Sequence, residues 1–323
     1  MNEDGVRVSR INWLAAVPSL RLFEAIHLSI SPRVLPPVIL LLLAGSVMMQ
    51  VPGLIFDALS SLNADAETPG IFSIESINRA VGAVKIPESP ALILTGGFSE
   101  FGVNMITLEV WMLVIGFCGV AAIRSAGCRF CTGTGSGLIA SMRYSVHQWQ
   151  AILVSALLSG ILLGLLGVAF RISCWAGAMI HPGMTAVTSL LCVLGCIVLG
   201  MGWLLSLAAI AIDRCDGAEA LSRGICYVLS RWQRILVYAA GCCVILWMSD
   251  LVMSAVIANA NGLTSAMLGK VDSVRARASL HFFREAILVS IFFCQTAIAY
   301  ALLRNVEDGV SLREIEGGQQ FAS

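Results

Sequence analysis

Cys128-x-x-Cys131 is the motif in this chain whose residue types and spacing could do chemistry. Two thiols three residues apart suit half of a zinc site or a dithiol couple, and Arg124 and Arg129 beside them would favour the thiolate. Zinc usually takes four protein ligands. His147, Cys215 and Cys226 fall on the same predicted side of the membrane, yet their spacings are irregular and no second Cys-x-x-Cys exists. Cys128 and Cys131 are therefore weak metal candidates. Ordinary thiols of a chain with no cofactor are the expectation.

Asp250 is the stronger candidate, because an ionisable group inside an apolar stretch is costly and marks an ion or proton path. It lies within Ile235 to Ala258, and Ser290 and Gln295 of an antiparallel neighbour would sit at nearby depths and could hydrogen-bond it. Asp250, Gln295 and Ser290 form the transport candidates. The competing expectation ends that span near Trp247 and leaves Asp250 in the interface. Glu109, a turn or two into another apolar stretch, poses the same choice. Gly133-Thr134-Gly135-Ser136-Gly137 could offer backbone N–H groups to a phosphate, but it lacks the lysine of a phosphate-binding loop and no strand precedes it. A hinge capped by Ser136 before a helix at Gly137 is expected instead.

The elements that must position these residues are apolar throughout. Of 323 residues, 12% are charged and 58% hydrophobic, with a mean hydropathy of +0.86, so a bilayer must be the solvent. A span needs about 20 apolar residues. The stretches Val34 to Phe56, Val103 to Ile123, Gln150 to Phe170, Thr185 to Ile212, Ile235 to Ala258 and Ala286 to Leu303 satisfy this. The fold class is all-α: a polytopic transmembrane helix bundle of about six spans, forming a single integral membrane domain over 1–323. Barrel strands would alternate polar and apolar residues, whereas Ala151 to Gly167 is apolar on every side. No cleavable signal is expected, since the first apolar stretch starts at Val34, is too long, and follows an acidic start.

Basic residues set the expected orientation. With the amino terminus inside, thirteen Arg lie in inner segments (Arg7, Arg10, Arg21, Arg33, Arg124, Arg129, Arg143, Arg214, Arg223, Arg231, Arg234, Arg304, Arg313) and seven basic residues outside (Arg79, Lys85, Arg171, Lys270, Arg275, Arg277, Arg284). This favours both termini in the cytoplasm, with 57–102 an acidic outer loop, 1–33 an inner segment and 304–323 an inner tail. That outer loop has no cysteine, and only Cys174 is placed outside, so no outer disulfide framework is expected. Zero net charge excludes a nucleic-acid surface.

Three inner segments precede spans as amphipathic helices, expected to lie along the membrane surface. They are Leu20 to Ile30, with Leu22, Phe23, Ile26 and Ile30 at helical spacing; Gly137 to Tyr144; and Gly217 to Tyr227. The last two lead into Trp149-Gln150-Ala151-Ile152-Leu153 and Trp232-Gln233-Arg234-Ile235-Leu236, which read as an internal repeat. Trp149 and Trp232 should sit at headgroup level as interfacial anchors, with Arg143, Arg231 and Arg234 facing lipid phosphates.

The run Ala211 to Trp232, with its acidic turn, Ala220-Leu221-Ser222-Arg223 helix and Tyr227-Val228 pair, resembles a segment in a family of uncharacterised multi-spanning bacterial membrane proteins. Gly119 to Arg124, the Leu138 to Tyr144 helix and Phe23 to Leu35 with Ser31-Pro32-Arg33 are similar to that family too, over roughly half the chain. The Cys128 to Cys131 loop departs from it. The resemblance implies membrane architecture and brings no catalytic residue.

No convergent polar cluster is visible, and no HExxH, GxSxG or paired-carboxylate motif is present. The expected function is therefore non-enzymatic: a membrane scaffold or complex subunit whose partners are the lipid bilayer and other membrane proteins, with no nucleic acid. A small-solute or proton transporter using Asp250 is the alternative, aided by glycine-rich spans such as Gly160, Gly164 and Gly167.

Overall fold

The computed structural model describes residues 18–48, 98–133, 136–180, 182–267 and 270–307, and all regular elements among them are helical. A 3-10 turn, Pro18–Phe23, leads into α1 (Glu24–Ser29) and α2 (Leu35–Met48). Then come α3 (Phe98–Thr132), α4 (Leu138–His147), α5 (Trp149–Ile180), α6 (Pro182–Asp213), α7 (Gly217–Ser230), α8 (Trp232–Met267) and α9 (Lys270–Glu307). The acidic segment expected as an outer loop over 57–102 is described only from residue 98, where it is already helical, and the rest of it lies outside the described residues together with the terminal segments 1–17 and 308–323.

Among the described residues, five helices are long and apolar enough to cross a membrane, over Leu108–Cys131, Trp149–Ser173, Thr185–Asp213, Trp232–Ala260 and Ser279–Val306. The chain has the architecture of a multi-pass membrane protein. In hydrocarbon, backbone groups must be satisfied within the segment, and a helix does this without an edge. The first expected span is seen only as α2, whose apolar part is the shorter Leu35–Ala44. Pro36 and Pro37 fall in its first turn, and Pro182 opens α6, where a missing N–H costs nothing.

The helices outrun the apolar stretches read from sequence. α3 continues through Cys128 and Cys131, which are buried helical thiols and not part of a loop. α9 begins sixteen residues before the expected Ala286 and so absorbs Arg284. Ser136 is not the cap of α4: Gly137 occupies that position without a side-chain cap bond, and the Ser136 hydroxyl pairs with that of Ser141 at 2.7 Å.

The expected repeat is present in the backbone. In each unit a short amphipathic helix ends at one non-helical residue, Gln148 or Arg231, and the long helix starts on Trp149 or Trp232. Both indoles are about half exposed, at 48% and 57%, while Ile152 and Ile235 point into the core. α1 followed by α2 has the same order. The inner members of the bundle are α3 and α9, whose apolar windows are 61% and 67% buried, whereas α8 at 17% is peripheral. α6 packs most extensively on α5 and α7. Glycine permits this closeness: a Cβ on Gly217 would run into the carbonyl of Ala151, and one on Gly224 into that of Gly202.

Candidate functional site: a charged cluster around Asp213

α6 stops at Asp213 because Arg214 adopts a left-handed conformation, φ 56°. That device ends many helices, usually with glycine, and costs an L side chain roughly 1 kcal/mol. The chain reverses, and Gly217 and Gly224 let α7 lie against α5 and α6, which returns Arg223 to the end of α6. On α9, Tyr300 and Arg304 are four residues apart and share a face. Both reach Asp213.

The Asp213 side chain is 3% exposed and ion-pairs with Arg304, itself 18% exposed. The Tyr300 hydroxyl donates to Asp213 Oδ2 at 2.5 Å, and Arg223 Nη1 lies 3.6 Å from the same oxygen. Arg223 also donates to Glu219 Oε1 at 2.6 Å. The Tyr227 ring stands 6.0 Å from that of Tyr300. Beside them Cys215 is buried, and burial pushes its thiol up against the pull of Arg223. A carboxylate this deep survives only with paired charge and hydrogen bonds, and three donors from α7 and α9 supply both. With the Tyr300 hydroxyl on Oδ2 and the Arg304 guanidinium ion-paired at Oδ1, Asp213 suits a clamp joining α6, α7 and α9 better than a proton acceptor.

The same helix end is capped from the other side. Arg124 Nη1 donates to the Ala211 carbonyl at 2.7 Å and the Tyr144 hydroxyl to the Ile210 carbonyl at 2.7 Å, satisfying last-turn acceptors where the helix dipole favours cations. Arg124 stacks 4.0 Å above the Tyr144 ring and Arg214 stands 5.9 Å from it, a cation–π arrangement. Burial raises the Tyr144 phenol, with Arg124 and Arg214 pulling it back.

The transport candidates are not brought together as expected. Asp250 pairs with Arg284, which donates Nε to Oδ1 at 2.7 Å and brings Nη2 to 2.5 Å of it. Ser290 instead donates to the Ser29 carbonyl at 2.9 Å, tying α9 to α1, and Gln295 Nε2 reaches the Cys242 carbonyl at 3.5 Å. The anchors Trp149, Trp232, Arg231 and Arg234 are all exposed. Among the described residues no three His, Cys, Asp or Glu side chains gather as a metal site, and Cys128, Cys131 and Cys215 are all buried.

Sequence reasoning saw no polar cluster, so the Asp213 clamp corrects it. The basic-residue count treats Arg304 and Arg284 as orientation signals only. Their position on the apolar flank of a helix, at spacing four from Tyr300 in one case, was the available hint. Comparison of the chain with protein-family models, with curated proteins and with solved structures finds no match in any of the three.

Proposed function

We propose that this chain is a non-enzymatic integral membrane component, a scaffold or a subunit of a membrane complex, in a bacterial inner membrane with both termini cytoplasmic. The observation that carries this reading is the pairing of Asp250 with Arg284. The carboxyl offered by sequence as an ion or proton carrier spends its charge holding α8 to α9, as Asp213 spends its own holding α6, α7 and α9. The Asp213 pair is buried and the Asp250 pair partly exposed, and ion pairs between helices bias which helices meet and in what register.

The orientation draws support from Arg124, Arg214, Arg223 and Arg304 meeting at the Asp213 end of α6, as cytoplasmic basic residues do. The resemblance of Ala211 to Trp232 to uncharacterised multi-spanning bacterial membrane proteins agrees with membrane architecture. Its partners in this reading are lipid and other membrane proteins.

A transporter is the second reading, favoured by Gln295 Oε1 and Glu109 Oε2, buried polar atoms without a hydrogen-bond partner. Blue-native electrophoresis of mildly solubilised membranes separates the two. A scaffold or subunit runs as an assembly well above the 34.3 kDa chain; a chain running alone, with solute flux in proteoliposomes, would favour the transporter.

A further inference from the structure

Between Glu109 and Asp213 the chain contains no Asp or Glu at all, while it places Arg124, Arg129, Arg143 and Arg171 there. In the middle of this stretch the α4 helix breaks at Gln148 and α5 begins at once on Trp149. The break opens a shallow depression lined by Arg143, Val146, His147, Gln148, Trp149 and Gln150. The polar side chains there are a guanidinium, an imidazole, an indole N–H and two amides, so every one can donate a hydrogen bond and none is an anion. Arg143, His147 and Gln150 are exposed.

The rim is apolar. Ile139 is 83% exposed and Val146 64% exposed on the outward side of α4, and the half-exposed Trp149 ring stands at the mouth. The α4 helix buries Ser141 and Ser145 and turns these aliphatic side chains outward, the inverse of a helix bathed in water and the arrangement of one lying in an interface. A free phosphate would gain nothing from such a rim. A phosphate attached to acyl chains would.

We propose that this depression binds the phosphate of an anionic phospholipid headgroup. Arg143 supplies the ion pair, and the N–H groups of His147, Trp149 and Gln150 supply hydrogen bonds. Ile139, Val146 and the Trp149 ring lie along the upper acyl chain. Charge-assisted contacts to phosphate from arginine are strong and directional, and basic pockets beside spans hold anionic headgroups by the same means.

The test uses the purified full chain in detergent, with native mass spectrometry counting retained lipid. The probes are dioleoyl phosphatidylglycerol, dioleoyl phosphatidylcholine and inorganic phosphate. We expect one phosphatidylglycerol per chain, held roughly tenfold more tightly than phosphatidylcholine, or about 1.4 kcal/mol. Arg143→Gln should remove that preference, and Arg171→Gln, toward the other end of α5 and outside the depression, should keep it. His147→Ala with Gln150→Ala should weaken it and provides the readout if Arg143→Gln does not fold. Equal retention of the two lipids, an unchanged preference in the Arg143 and His147/Gln150 variants, or an equal loss in Arg171→Gln would overturn the site. Displacement of phosphatidylglycerol by inorganic phosphate at matched concentration would overturn the lipid assignment in favour of a free-anion site.

Discussion

Replacing Asp213 by Asn keeps the side chain's size but removes the one negative charge shared by Arg304, Tyr300 and Arg223. Arg304, 18% exposed, then loses the Asp213 carboxylate from its surroundings. Breaking a buried pair by losing one partner costs about 3–5 kcal/mol, and the lower end applies because the amide still accepts a hydrogen bond. The Arg223 arm adds under about 1 kcal/mol, since that side chain is more than a third exposed and retains Glu219. A loss of about 3 kcal/mol corresponds to a fall in melting temperature of about 6–12 °C at the sensitivity of larger domains. Thermal unfolding of purified protein in detergent, followed by intrinsic fluorescence, reads this directly. Arg304→Gln should fall by a similar amount, Arg223→Gln by far less, and the Asp213→Asn/Arg304→Gln pair should lose much less than the two singles together. An Asp213→Asn protein that melts with the wild type, or an Arg223→Gln protein more damaged than Arg304→Gln, would refute the clamp.

Gly224→Ala should destabilise by about 1–3 kcal/mol, because its Cβ meets the Gly202 backbone. Gly160→Ala meets only the movable end of Glu109 and should cost less in the same melts. Asp250→Asn and Arg284→Gln should each lower the melting temperature, and the exchange Asp250→Arg with Arg284→Asp should recover part of the loss; no recovery would deny the pair a role. A water-soluble maleimide should label Cys226, exposed on α7, well before the buried Cys128, Cys131 and Cys215, as mass mapping will show; rapid labelling of Cys128 and Cys131 would revive the redox or metal reading. The Tyr144 phenol is raised above its ordinary 10.0 by burial, so its contribution to stability is intact below pH 10 and is lost as pH rises through the folded-state value. Tyr144→Phe should remove that alkaline loss while costing about 1 kcal/mol for the bond to the Ile210 carbonyl.

The spans were legible because hydropathy reports the solvent that a helix side meets, and here that solvent is hydrocarbon. Their ends were not, because a helix continues wherever packing supports it: α3 carries Cys128 and Cys131 past the apolar run, and α9 starts early enough to include Arg284. The repeat was legible, since Trp149 and Trp232 mark the same break between a short and a long helix. The clamp was not. Asp213 and Tyr300 lie 87 residues apart, and a charged residue at a span end reads as an orientation signal until the fold supplies its partner. Ser290 shows the same difficulty, bonding a carbonyl 261 residues away rather than Asp250.

The most direct test of the scaffold reading is flux through the chain itself. Proteoliposomes containing wild type or Asp250→Asn should be compared with protein-free liposomes, across a panel of small solutes with and without a proton gradient. The account predicts no protein-dependent flux in either. Robust flux through the wild type that Asp250→Asn lacks would contradict it and make the Asp250–Arg284 pair part of a transport path.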